Sequence, residues 1–474
     1  MSQLPQLDVY IPPSFAYFVK RLSGVSTSTV RMTVLSNTTA SAGSTIKVKF
    51  PSNAIVNMSS FTMYSLGYTT ATAGFASFPK LSQSMINQLR VSIGGQIVSG
   101  GNLQEMGTFY NIASRLQQGE AQVKMLNLQH LGHDVVTPTA LIAQAASIPI
   151  VIDDFGGFLA CTPTYVHTGI MPEIIVDLVL AGTNVLAISH GATGVAYHLE
   201  NIYFTIEVVQ FDNDVYSKIL SSRLSAGQTI EIPFLDCHYV LKPASTIIET
   251  QVSSNAISKV FVVPRTVGYG APDEPYYGLT RPFIFSTNAT GRPQLTPAAV
   301  FRDSACTAYW SVDNKMYPST PATAPELYQM TIDAFGDRAS TSAVNSLLLE
   351  PTFSIVVPFN LAEDHKKRIV VAETVTALGA TTEAELLPEM SSFLYAVHWD
   401  PVSMYLDRNA IFCLNLEVNE GANERLISGY SSIGKNAVIR FDGTNLLGPV
   451  DLTMFVVVKR CLKIRDGQQI LIDL

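Results

Sequence analysis

The chain has 474 residues, long enough for two or three domains with sizeable cores. Charged residues are 14% of it and hydrophobic residues 47%, a balance low in charge for a soluble monomer, so surplus apolar area is expected to be hidden at a protein–protein interface. The net charge of −8 argues against a dedicated nucleic-acid binder, and no apolar run reaches the ~18–20 residues of a membrane span.

The first residues, "MSQLPQLDVYIPPSFAYF", lack the basic start and apolar core of a signal peptide, so the chain is expected to fold in the cytosol. Lys20, Arg21, Arg31, Lys47 and Lys49 face only Asp8 within the first fifty residues, and Lys459, Arg460, Lys463 and Arg465 cluster near the other end. Both ends are therefore locally basic. The five cysteines (Cys161, Cys237, Cys306, Cys413, Cys461) are odd in number and scattered without a Cys-x-x-Cys pair. That pattern argues against a disulfide framework and a zinc site, and buried free thiols are expected. Asn37, Asn57 and Asn288 sit in Asn-x-Ser/Thr sequons, read as chance matches without secretion.

Strand patterns dominate from there on. "STIKVKF", "QLRVSI", "SIPIVI", "EIIVDLVLA", "NIYFTIEVV", "AISKVFVVP", "AIFCLNLEV" and "LTMFVVV" are alternating or continuous apolar runs bounded by Gly, Pro, Asn, Ser and Thr. The class is all-β, and the length implies more than one sandwich.

The order of elements repeats. "QLRVSIGGQIVSGG" predicts a hairpin turning at Gly94-Gly95, and "TAYWSVDNKMYPST" predicts another at Asp313-Asn314. Each precedes a capped helix: Asn102 with Glu105, followed by the stripe Leu103, Met106, Tyr110 and Ala113, then Thr323 with Glu326, followed by Leu327, Met330 and Ala334. "SIPIVIDDFGGFL" is echoed by "TFSIVVPFNLAED" (352–364), "EIIVDLVLA" by "AIFCLNLEV", and "LENIYFTIEVVQF" by "LTMFVVVKRCLKI". The expected layout is an arm over 1–30, a first domain over 31–212, a linker over 213–228 and a second domain over 229–474.

Motifs that would carry chemistry do not hold up. "GYSSIGKN" (429–436) has the glycine and lysine spacing of a phosphate-cradling loop, yet Asn436 stands where a magnesium-binding Ser or Thr belongs. The next residues, "AVIRFDG", predict a strand where a helix should open, so the segment is expected to be a connection between strands. His130 and His133 in "QHLGHD" have no identifiable third metal ligand. Ser189 and His190 are adjacent, and neighbours on a strand point to opposite faces. Asp153-Asp154 are read as a strand-end turn before Gly156-Gly157. No Gly-x-Ser-x-Gly elbow and no His-x-His pair occurs. Hence no catalytic, cofactor-binding or metal residue is nominated, and the chain is not expected to be an enzyme.

Two domains of this kind in tandem, each with a helix after a hairpin, behind an arm reading "IPPSFAYFVKRLSG", resemble the double jelly-roll major capsid proteins of the tectivirus–adenovirus lineage. The look is closest to those of polinton-like viruses and virophages. The resemblance implies two tandem eight-stranded jelly rolls with short inserted helices. It further implies a homotrimer forming a pseudo-hexameric capsomer that tiles an icosahedral shell around a dsDNA genome. Implied partners are further copies of the chain, neighbouring capsomers, penton and minor capsid proteins, with non-specific contact between the basic termini and genome or inner membrane. The implied location is the virion, after synthesis and assembly inside the host cell. Pro264–Arg302, stiffened by six prolines and carrying Tyr269, Tyr276 and Tyr277, is expected to be an outer or intersubunit loop. The alternative from the residues is a β-sandwich carbohydrate- or receptor-binding module, since jelly rolls host many functions.

Overall fold

A computed structural model describes residues 25–72, 76–78, 82–101, 104–106, 147–153, 155–188, 193–211, 222, 224–265, 307–334, 411–417, 429–435, 437–445, 450–465 and 469–473. The first half supplies β1 (Val25–Arg31), β2 (Thr33–Val34), β3 (Ala40–Ser41), β4 (Thr45–Lys49), β5 (Ile55–Thr70) and β6 (Ala76–Ser77). It continues with β7 (Ile86–Ile93), β8 (Gln96–Ser99), β9 (Ile148–Ile152), β10 (Tyr165–His167), β11 (Ile174–Leu180), β12 (Ala187–Ile188) and β13 (Ala196–Phe211). The second half supplies β14 (Ile230–Ser245), β15 (Ile247–Gln251), β16 (Ile257–Arg265), β17 (Thr307–Val312) and β18 (Lys315–Thr323). After β18 come helix α1 (Ala324–Ala334), β19 (Phe412–Asn415), β20 (Val438–Asp442), β21 (Val450–Arg465) and β22 (Gln469–Asp473).

The strands form because side chains alternate between a core and an outer face. β11 buries Ile174, Val176, Leu178 and Leu180 and turns Asp177 and Val179 the other way. β5 alternates in the same manner over most of its sixteen residues. In the first half one sheet runs β1-β13-β5-β10, with β3 and β9 as additions, and the other runs β2-β4-β11-β7-β8. In the second half the orders are β14-β21-β16-β19, with β22 added, and β15-β20-β17-β18. Each half thus contains the same eight-strand plan. Numbered in chain order, one sheet is first–eighth–third–sixth and the other second–seventh–fourth–fifth, which is the jelly-roll order in both.

This topology corrects one of the repeats read from sequence. β13 and β21 are counterparts, as expected, and so are the hairpins β7–β8 and β17–β18. "EIIVDLVLA" forms β11, which lies beside the hairpin strand β7, whereas "AIFCLNLEV" forms β19, which lies beside β16 in the opposite sheet. The true counterpart of β11 is β20, beside β17, and that of β19 is β10. Short apolar strands look alike, and only their hydrogen-bonded neighbours decide which sheet they join. The proposed partner of "SIPIVIDDFGGFL", 352–364, lies outside the described residues. The expected arm also shortens, because Val25–Val30 pair with β13 as strand β1.

Both hairpin turns are built as predicted. Gly94 and Gly95 have φ of 59° and 83°, and Asp313 and Asn314 have 52° and 62°. These positive angles match the right-handed twist of the flanking strands. At α1 the Thr323 backbone N–H and hydroxyl both donate to the Glu326 carboxylate, at 2.7 and 2.9 Å. Those bonds hold the Glu326 carboxyl below its usual pKa. Leu327 and Ala334 are buried and Met330 half-buried, so the predicted stripe faces the core. Asn102 and most of the first predicted helix lie outside the described residues. Glu105 is described, and it ties neighbouring elements together: its N–H donates to Asn87 Oδ1 and its Oε1 accepts the Tyr239 hydroxyl of the second half.

The core is continuous across both halves. In the first roll Phe61 stacks with Phe50 and Phe204, at 5.7 and 5.3 Å between centroids. In the second, Phe441 from β20 meets Trp310 from β17 at 4.9 Å and Phe412 from β19 at 5.1 Å. Aromatic rings from both sheets thus close each sandwich.

Candidate functional site

The phosphate-loop lookalike is a connection between strands. Tyr430 forms an antiparallel bridge with Ile257, and Ser432 exchanges backbone and hydroxyl bonds with Val252 and Ser254. Lys435 folds back on its own loop, with Nζ 3.2 Å from the Ser431 carbonyl and 4.8 Å from the Tyr430 ring centre. Strand β20 comes next, so no helix N-terminus faces a phosphate. Lys435→Ala is therefore expected to change stability by no more than about 0.5 kcal/mol and to leave assembly intact, with no ATP binding by either protein in equilibrium dialysis. Saturable binding abolished by the substitution would contradict this.

Among the described residues no group of three or more His, Cys, Asp and Glu side chains is placed to hold a metal ion. His130, His133, Ser189, His190, Asp154, Cys306, Asn288 and residues 266–302 of the proline-rich loop lie outside the described residues. Asp153 directly follows β9, where a strand-end turn was expected. Cys161, Cys237, Cys413 and Cys461 are buried thiols, none of them in a disulfide. Burial pushes the Cys161 thiol up to about 12, which makes it a poor nucleophile. Asn57 sits within β5 and donates to Glu207, inside a sheet.

The chemistry that the fold does concentrate lies where the rolls meet. β14, the first strand of the second roll, is gripped by first-roll segments that come after β8 and β9. The turn Gly157–Ala160 places Phe158 edge-on to Phe234 at 5.5 Å. Pro233 occupies a β14 position whose N–H would point away from β21, the place where a strand tolerates proline. Its carbonyl accepts the Thr162 N–H at 3.1 Å. Asp236 is buried, with Oδ1 accepting the Gly100 N–H at 3.0 Å and Oδ2 2.8 Å from Arg460 Nη1. Gly100 has φ of 76°, and a Cβ there would come within 1.7 Å of the Leu89 carbonyl oxygen, so glycine is required for this approach.

Arg460 also reaches His238 Nε2, at 3.0 Å. An arginine only donates, so Nε2 accepts and carries no proton. Burial first, and then the Arg460 charge, lower the His238 pKa, against a smaller opposite effect of Asp236. Burial, reinforced by the Asp236 charge, raises the Cys237 thiol well above its ordinary value. The result is an inert, hydrogen-bonded cluster that fixes one roll against the other.

Sequence reasoning missed this cluster. Asp236 and His238 interrupt an apolar strand in "IPFLDCHYV", which was the available signal, but their partners Gly100 and Arg460 are remote in sequence. Acidic partners also bear on the basic ends. Arg460 pairs with Asp236, Lys459 with Glu417 at 2.8 Å and Lys463 with Glu231 at 3.6 Å. Lys47 pairs with Asp177 at 3.8 Å, and Lys49 with Glu173. Most of the described cations at the two ends are thus neutralised within the chain, because acidic residues distant in sequence lie on neighbouring strands and loops.

No protein-family profile matches the sequence, and no curated protein is similar to it in sequence. Solved structures are similar over the whole length. PBCV-1 VP54, as fitted into a cryo-EM reconstruction of the virophage Sputnik, superposes with a TM-score of 0.57 at 7% identity, covering 97% of this chain and 99% of that one. The Faustovirus major capsid protein gives 0.55 at 7% identity, covering 96% and 93%. The chain has the fold of a viral major capsid protein. A chain of the 3.5 Å Sputnik virophage structure gives 0.51 at 11% identity, covering 100% and 92%. Near-complete coverage in both directions means that the likeness extends over both rolls, beyond a single sandwich.

Proposed function

We propose that the chain is a major capsid protein, working by self-assembly and not by catalysis. The observation that carries this reading is the pair of rolls with one strand order, locked by a buried joint, in a chain similar end to end to capsid proteins. A homotrimer of such a chain presents six similar sandwiches, a pseudo-hexameric tile for an icosahedral shell around a dsDNA genome. The domains are the first roll, from Val25 to residue 212, and the second, from 229 to 474, joined by 213–228 and preceded by a short arm. Neighbouring capsomers, penton and minor capsid proteins are the partners, and the virion is the place of action. With Lys47, Lys49, Lys459, Arg460 and Lys463 paired, non-specific contact with genome or inner membrane falls to Lys20, Arg21, Arg31 and Arg465.

A trimer interface for so apolar a chain is of the obligate kind, above ~2,000 Å² in total, and couples folding to assembly. Light scattering coupled to size-exclusion chromatography is expected to give three times the 51.4 kDa chain mass. A stable, cooperatively melting monomer at every concentration would overturn the capsid reading and favour a monomeric binding module.

A further inference from the structure

The joint inside the chain has two sides, and each has a counterpart that is open. The inserting side is β14, the first strand of its roll. Ile232, Phe234, Asp236 and Cys237 are buried there, and its outer backbone edge is engaged by Thr162. The counterpart of β14 in the first roll is β1. It ends its sheet, pairing with β13 alone among the described strands, and Ser26–Arg31 are exposed on both faces.

Met32, directly opposite Phe204, donates to its carbonyl, so alternate residues back along β1 bond to β13. Val25, Thr27, Thr29 and Arg31 therefore turn their N–H and C=O groups away from β13, as Pro233 turns its C=O away from β21 on β14. Beside this edge Arg31 lies 4.0 Å above the Tyr203 ring, and Tyr203 stacks on Tyr64 at 4.9 Å, forming a rigid outward ridge.

The receiving side shows the same contrast. Gly100, five residues past the turn residue Gly95, is buried against Asp236. Ser319, equally far past Asn314, is exposed with Thr320 and Pro321. Among the described residues, one chain thus leaves an unused inserting strand at one end and an unused receiving corner at the other.

We infer that β1 of one copy docks against the Ser319–Pro321 corner of a second copy, repeating between chains the joint that β14 makes within the chain. This rests on the capsid reading and names the surfaces that would build its trimer. The contact is head-to-tail, because its two sides are different surfaces, so it closes only as a ring. Three chains would then alternate internal and external joints around six rolls. The exposed edge is polar, reading Ser-Thr-Ser-Thr, so the external joint is held by backbone pairing and the aromatic ridge more than by buried aliphatic groups.

The full chain carrying Thr29→Cys and Ser319→Cys, treated with a short bismaleimide, tests the contact on a denaturing gel. Bands at two and three chain masses are expected, with each single variant remaining at one. Dimers from Thr29→Cys alone would mean a two-fold β1–β1 contact and would overturn the inference. So would a trimer by light scattering that shows no cross-link in the double variant, an outcome that leaves the capsid reading standing. Independently, Thr27→Lys with Thr29→Lys puts charges on the edge and is expected to lower the trimer fraction at least tenfold at fixed concentration, with unchanged circular dichroism. Wild-type trimer content in that variant would overturn the inference as well.

Discussion

Replacing Asp236 by alanine is expected to destabilise the protein by about 3–5 kcal/mol, the usual cost of removing one member of a buried ion pair. The magnitude reflects the groups left behind. The Arg460 guanidinium stays largely buried and loses its counter-charge, and the Gly100 N–H loses its acceptor. The midpoint of guanidinium unfolding under fixed protein concentration reads the loss. Asp236→Leu combined with Arg460→Met should recover much of it, because an apolar pair of similar volume avoids the desolvation that the ions require. A single substitution costing less than about 1 kcal/mol would show that the joint is not held by this pair. Loss of the joint without loss of either sandwich would appear as two separate unfolding transitions instead of one.

The second large effect is expected at Trp310. Its side chain is fully buried between the sheets of the second roll, 4.9 Å from Phe441. Trp310→Ala removes the largest fully buried side chain among the described residues and leaves a cavity that the surrounding strands cannot fill, at about 3–5 kcal/mol. Met316 lies on the next strand of the same sheet but is exposed, and Met316→Ala should stay within about 0.5 kcal/mol. Equal effects at the two positions would mean that the core has been misplaced.

The local devices could be read from the residues alone, because each is specified by a few neighbours in the chain. Gly94-Gly95 and Asp313-Asn314 supply the positive φ angles that their turns need, and Glu326 three residues after Thr323 marks the start of α1. Period-two alternation shows that β4, β7, β11 and β20 are strands with one buried face. The two hairpins and the last long strand of each half were enough to reveal the duplication, and Asn436 with the strand after it was enough to dismiss the phosphate loop. The pairing of strands, in contrast, could not be assigned from sequence. β11 and β19 carry the same apolar strand signal, yet they lie in different sheets, since pairing is decided by backbone partners brought together from far along the chain. The neutralisation of Arg460, Lys459 and Lys463 depends in the same way on acids carried by other segments. Alternation records only that a face is buried. Tertiary structure alone decides against what, and so it alone places Asp236 beside Gly100 and leaves β1 at the end of its sheet among the described strands.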